Sequence, residues 1–207
     1  MGKSGGRLEL AAAAALATAL LAACEPGAPS VTVVQPAPAG AVVATGAAMT
    51  AANVAAIVVA ANDATIERAR VARAEAEDPR VRAFANRVFR ESQEAALHID
   101  QAVFMLGLAP QPEAIAYQLE SDAAQTVTAL RRAQGLEVDR IYLETEIANH
   151  RWMLGTIDAV APTITVPAAV QELDDYRSLL AARLTAAELL AVEVLGDRYH
   201  DHHYHGR

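Results

Sequence analysis

The sequence predicts an all-α protein: an antiparallel bundle of four to five helices that follows a signal peptide and an unstructured tether. Three observations support this fold class. The 207-residue chain is 53% hydrophobic but only 4% aromatic, and much of the apolar fraction is alanine, the strongest helix former. Apolar residues recur at three- and four-residue spacing from residue 49 to residue 195, as on one face of a helix. The breaks in this pattern are short, which makes consecutive helices antiparallel neighbours.

Residues 1–23 are predicted to be a lipoprotein signal peptide. A short cationic start, with Lys3 and Arg7, precedes an apolar run that is too short for a stable membrane span. The run ends in "LAAC" at residues 21–24, which matches the bacterial lipoprotein pattern and implies that Cys24 carries the lipid. Several acyl chains hold a protein on a membrane far better than one does. The alternative is an ordinary signal peptide with a coincidental cysteine beside the cleavage site.

This leader predicts a lipoprotein of the cell envelope that faces the periplasm, with the outer membrane favoured over the inner one. Residues 24–48, the lipidated cysteine and a stretch rich in proline, alanine and glycine, are interpreted as a tether. The formal net charge of −8 argues against nucleic acid as a partner, since nucleic acid requires a cationic surface. The membrane is therefore the expected partner, and a protein partner in the envelope is left open.

Five helices are predicted within a bundle domain at residues 49–195. The first spans about residues 50–77, and Asp78-Pro79 separates it from the second, because proline suits a first helical turn. The second stops at "GLAPQP", and the third breaks at Gln134-Gly135. The fourth spans about residues 137–160. The fifth begins at Pro167, with Gly196 as its expected cap, and residues 196–207 form a histidine-rich tail.

Two stretches of the bundle resemble a bacterial envelope family known as domain of unknown function 4142. They are "DPRVRAFANRVFRES", at residues 78–92, and "GLEVDRIYLETEIANH", at residues 135–150. The resemblance implies a ferritin-like helical bundle. The positions that match the family pattern are Phe84, Ala85, Asp139, Tyr142 and His150.

The chain departs from that family at three positions. Ser92 stands where the family's second helix usually has histidine, Val138 replaces a phenylalanine, and Arg183 replaces a frequent histidine of the last helix. The resemblance therefore supports the fold and weakens a metal site. A di-iron bundle would need Glu-x-x-His on two helices, and the chain has no such motif. Ferritin-like oxidoreductase activity is not expected, and we predict no catalytic residue, no bound cofactor and no enzyme.

His150 is the best internal candidate for chemistry. Its three- and four-residue spacing to Ile147 and Leu154 places it on an apolar seam, with Glu146 one turn earlier. A buried imidazole beside a carboxylate could ligate a metal or accept a proton. The favoured interpretation is a core histidine whose ring nitrogens are satisfied by neighbouring polar groups.

Three other features have simple structural interpretations. Glu94 and His98, four residues apart, are predicted to form a solvated surface contact. The arginine cluster Arg68, Arg70 and Arg73 is interpreted as a solvated face balanced by nearby glutamates. The lone Trp152 is expected in the core.

The tail carries four histidines within six residues: His200, His202, His203 and His205. Imidazoles at this density bind zinc, copper or nickel, so a transition metal at the tail is a possible cofactor. The favoured function is a lipid-anchored, non-enzymatic structural, stress or interaction module of the envelope. The alternative is a metal-binding or metal-buffering lipoprotein that uses the tail and His150.

Overall fold

The computed structural model describes residues 50–196, which form an all-helical structure without strands in that range. The five helices are α1 (Ala51–Glu75), α2 (Pro79–Met105), α3 (Ala114–Arg132), α4 (Leu136–Val160) and α5 (Pro167–Leu195). The all-α bundle predicted from the sequence is confirmed. The signal peptide, the tether with Cys24, and the tail with His200, His202, His203 and His205 lie outside the described residues. Among residues 50–196, no helix is long and apolar enough to cross a membrane.

Local sequence explains where most helices begin and end. Thr50 begins α1 with a capping box: its hydroxyl accepts the amide N–H of Asn53 at 3.2 Å, and the Asn53 side chain accepts the Thr50 N–H at 3.0 Å. Asp78 caps α2 ahead of Pro79. The helix α1 ends at Glu75, two residues before the predicted end, because the N–H of Glu77 is bound by a side chain of α4.

The helices alternate in direction along the chain. α1 contacts α2, α3 and α4, while α5 packs on α4 and α2. The antiparallel pairing of α2 with α5 is visible in the ion pair between Arg80 and Glu193, at 3.5 Å. A second ion pair, between Arg151 and Glu188 at 2.6 Å, joins α4 to α5. α3 lies beside α1 and α4, and its residues Ala116 and Leu119 belong to the same core.

The core consists of the apolar stripes that the helical periodicity predicts. Ile57, Leu130, Ile147 and Ile157 are almost fully buried, and Trp152 is buried as predicted. Phe84 and Tyr142, both family positions, pack with ring centroids 6.1 Å apart. This packing brings α2 and α4 together near a layer of buried polar side chains.

Candidate functional site

A buried ion pair lies at the centre of the bundle. Nε of Arg68, on α1, is 2.9 Å from Oε1 of Glu146, on α4. The two residues are 3% and 0% exposed. Nη2 of Arg68 also donates to the hydroxyl of Thr65 at 3.2 Å. Both charges are removed from water. Loss of either partner would therefore leave the other as an unpaired buried charge, which is strongly destabilising.

The interpretation of the arginine cluster was wrong for Arg68, which faces the core rather than solvent. Arg70 is exposed as expected, and it pairs with Glu67. Arg68 lies three residues after Thr65, on the stripe that α1 turns to the core. That spacing is the signal that distinguishes it from Arg70.

His150 lies one turn after Glu146 and is 2% exposed. Its Nδ1 is 2.5 Å from the backbone oxygen of Glu146 and 3.7 Å from Oε2 of the same residue. A carbonyl oxygen only accepts, so Nδ1 carries the proton in a neutral ring, and Nε2 is left as the acceptor. Burial lowers the pKa of His150, and the Glu146 carboxylate opposes this only in part.

Stability should therefore fall on mild acidification. The ordinary pKa of the imidazole is 6.5. Below this pH the unfolded chain binds a proton at residue 150, whereas the buried His150 of the folded protein does not. The free energy of unfolding then decreases, by up to about 1.4 kcal/mol per pH unit, until the lowered pKa of the folded state is reached. Urea unfolding at roughly pH 7.5, 6.5 and 5.5 measures this slope. We expect His150→Gln to flatten it, and the same substitution at exposed His98 is the matched control. A slope unchanged in His150→Gln would contradict this assignment.

A second buried arginine, Arg183, links α5 to α2. Its Nη1 donates to the hydroxyl of Ser92 at 3.0 Å, and its Nε donates to Glu91 at 3.1 Å. The side-chain amide of Asn62, on α1, donates to the Ser92 backbone oxygen at 2.9 Å. Positions 92 and 183, at which the family resemblance implies histidine, thus contact each other here as a serine and an arginine.

The charges around His150 do not favour a metal ion. Glu146 and His150 together offer the carboxylate and imidazole that the sequence suggested as ligands. The Glu146 carboxylate is already bound by Arg68, and Arg68 and Arg183 both act on His150 as positive charges. Within residues 50–196, no group of three or more His, Cys, Asp or Glu side chains could hold a metal. The layer fits a structural ion pair better than a metal centre.

Polar atoms of this layer include donors and acceptors without a hydrogen-bond partner among the described residues. They are Asn62 Oδ1, Tyr142 OH, Glu146 Oε2, His150 Nε2 and Arg183 Nη2. Burial raises the pKa of Tyr142 well above its ordinary value, so its hydroxyl keeps its proton. A mixed set of donors and acceptors is what ordered water satisfies in protein interiors. The expectation that both ring nitrogens of His150 find partners is thus met only at Nδ1.

Asp139, another family position, has a structural role. Its carboxylate accepts the backbone N–H of Glu77 at 2.9 Å and that of Asp78 at 2.8 Å. Burial raises the pKa of Asp139, and these two hydrogen bonds lower it in part. The side chain fastens the start of α4 to the α1–α2 connection.

An open groove of about 470 Å³ lies between α1, α2 and α5. The sequence did not reveal it, since it depends on how three helices diverge. Its walls are mostly apolar and include the side chains of Val54, Val58, Ile99, Leu106, Leu173 and Leu179. Neither Glu146 nor His150 lines it, whereas Glu91, the partner of Arg183, does.

The polar side chains of this groove are mainly acidic. Glu91 already pairs with Arg183, but Glu94, Glu172 and Asp175 have no basic partner among the residues that the structure describes. His98 also lines the groove. Glu94 and His98 are exposed, as the sequence predicted, and both line this cavity, but among the described residues they form no hydrogen bond or ion pair with each other.

Fold and site together define an all-α bundle with a buried ion-pair layer and an open apolar groove. The profile of the family described as Domain of unknown function (DUF4142) matches residues 36–190, so the chain belongs to this family, and the resemblance noted above is confirmed. Comparison with curated proteins and with solved structures finds no match.

Proposed function

We propose that this protein is a lipid-anchored, non-enzymatic binding module of the bacterial envelope whose groove binds an amphiphilic cation. Such a ligand is a small molecule with an apolar body and an amine or quaternary ammonium head. The observation that carries the proposal is the groove between α1, α2 and α5. The motif "LAAC" at residues 21–24 supports the anchor, and the outer membrane is the favoured location.

The size and lining of the groove support a small-molecule ligand. Its volume of about 470 Å³ falls in the range of roughly 300–1,000 Å³ in which ligand sites of proteins lie. Apolar walls with a few polar groups at the rim give affinity through burial and orientation through charge.

The charges at the rim support a cationic head group. Glu94, Glu172 and Asp175 are exposed, and no arginine or lysine lines the groove in the described part of the chain. Three uncompensated carboxylates attract a cation and repel an anion. Each contributes modestly at an exposed site, about 0.2–1 kcal/mol, so the apolar walls supply most of the affinity and the carboxylates supply the selectivity.

The groups whose pKa values burial shifts most are not placed to transfer protons in the groove. His150 and Tyr142, whose pKa values burial shifts, are enclosed in the core and do not line the groove. A general acid or base must reach the proton that it transfers. Tyr176 does line the groove, but burial raises its pKa to about 12, which keeps it protonated near neutral pH.

Filling the groove tests this function. Ala102 is half-buried and lines the cavity, so Ala102→Phe places a ring where the apolar body would lie. We expect the dissociation constant for decyltrimethylammonium, measured by isothermal titration calorimetry, to rise about tenfold or more, since about 1.4 kcal/mol of lost apolar contact is tenfold. Ala124→Phe, at an exposed position of α3, is the matched control. Unchanged binding by Ala102→Phe would refute the assignment of the groove.

Metal binding by the tail is the second candidate function. Its support is the density of histidines: His200, His202, His203 and His205. We expect titrations with Zn²⁺ and Ni²⁺ to show binding to the full chain and none after deletion of residues 197–207, because imidazole is the favoured ligand of both metals. Binding that survives the deletion would instead implicate the bundle, and His150→Gln would then be the next variant to titrate.

A further inference from the structure

One end of the bundle brings together the start of α1, the α2–α3 connection and the α4–α5 connection. The Gln111 N–H donates to the backbone oxygen of Ala52 at 3.2 Å, and the Asn53 amide donates to Glu113 at 2.7 Å. The groove is lined both by Ala51 and by Ile164 of the α4–α5 connection. We call this the proximal end, because the chain enters it from the tether.

The two connections at the proximal end carry a single charged residue, Glu113, which accepts the hydrogen bond from Asn53. Residues 101–112 contain no Asp, Glu, Lys or Arg, and neither do residues 159–171. The opposite end, formed by the α1–α2 and α3–α4 connections, has five charged residues in 75–82 and five in 131–140. The two ends of the bundle therefore suit different surroundings.

Large apolar side chains are exposed at this weakly charged end. Phe104 is 82% exposed and Met105 is 73% exposed, both at the end of α2. Tyr117 is 60% exposed and Val166 is 44% exposed. Exposed apolar side chains in a cluster mark interaction surfaces, and an aromatic ring with a polar tip, such as Tyr117, is typical of membrane–water interfaces.

The proposed lipid anchor indicates that a membrane covers this surface. The inference rests on the anchor, which is part of the proposed function. Residues 25–49 separate Cys24 from Thr50. A chain of this length reaches at most roughly 85 Å. The anchor would hold the proximal end within that reach of the bilayer, at high effective concentration.

We propose that the proximal end is a second membrane-contact site, at which Phe104 and Met105 insert into the interfacial region of a phospholipid bilayer. The net charge of −8 disfavours an anionic surface, so the matching surface is zwitterionic. The anchor supplies attachment, and this contact orients the bundle with its charged end away from the membrane.

Quenching by brominated phosphatidylcholine vesicles tests the contact on the full lipidated chain. A Phe104→Trp probe in a Trp152→Phe background reports on the proximal end. The control probe is Leu189→Trp, because Leu189 is 63% exposed near the opposite end. We expect strong quenching at position 104 and none at position 189. Vesicle-bound protein that shows no quenching at position 104, or equal quenching at both positions, would overturn the inference and leave the anchor intact.

The unlipidated Cys24→Ser chain separates this inference from the anchor. We expect it to float weakly with phosphatidylcholine vesicles, and the double variant Phe104→Ser, Met105→Ser to weaken that partitioning about tenfold or more, since each buried apolar side chain is worth about 1.5–3 kcal/mol. A wild-type chain that lacks lipid would refute the anchor alone. Partitioning of the Cys24→Ser chain that is indifferent to the double variant would refute the contact alone.

Discussion

Replacing Arg68 with methionine is expected to reduce the free energy of unfolding by about 3–5 kcal/mol, since it leaves a buried charge unpaired. Glu146 is fully buried and its only cationic hydrogen-bond partner among the described residues is Arg68. Methionine preserves the length and apolar character of the side chain, so the loss reports the charge rather than a cavity. Urea unfolding at neutral pH measures the effect.

Two controls separate the buried pair from arginine in general. Arg151→Met removes an exposed partner of Glu188 and should cost less than about 1 kcal/mol. The double variant Arg68→Met, Glu146→Leu should recover most of the lost stability, because an apolar pair can replace a buried ion pair at little net cost. If Arg68→Met costs no more than Arg151→Met, Arg68 is not the structural partner that the geometry indicates.

Replacing Cys24 with serine is expected to release the protein from the membrane. The thiol is the only sulfur nucleophile in the chain that could carry a thioether-linked lipid, since Cys24 is the only cysteine. Without acyl chains, only the weak contact proposed for the proximal end would remain. Fractionation of envelope membranes and the mass of the mature N-terminal peptide measure the change.

The matched control for this variant is Ser30→Ala, in the tether and outside the "LAAC" motif, which should leave the protein in the membrane fraction. An unmodified Cys24 in wild-type protein from the soluble fraction would establish the alternative, an ordinary signal peptide.

The fold was predictable because each element carries a local signal. Proline at position 79 and glycine at positions 135 and 196 mark helix boundaries, and the structure places boundaries there. The end of α1 was less predictable: a carboxylate from α4, at position 139, takes the N–H groups that would have continued the helix. Such a contact is 62 residues distant along the chain and leaves no trace in local periodicity.

The candidate site was predictable only in part. His150 and Glu146 were identified from their spacing on α4, and both are buried there. The charged neighbours of Arg68 predict a surface residue, and only its partner on another helix explains why it is buried. The groove could not be predicted, because it depends on the distances between α1, α2 and α5 rather than on the residues of any one helix.

The preference of the groove for a cation is the most direct test of the proposed function. The measurement is the ratio of the dissociation constants of decyltrimethylammonium and decyl sulfate, which share one apolar chain, for the wild type and for the triple variant Glu94→Gln, Glu172→Gln, Asp175→Asn. We expect the wild type to bind the cation roughly tenfold more tightly and the triple variant to lose that preference. Equal affinities in the wild type, or tighter binding of decyl sulfate, would contradict the proposal.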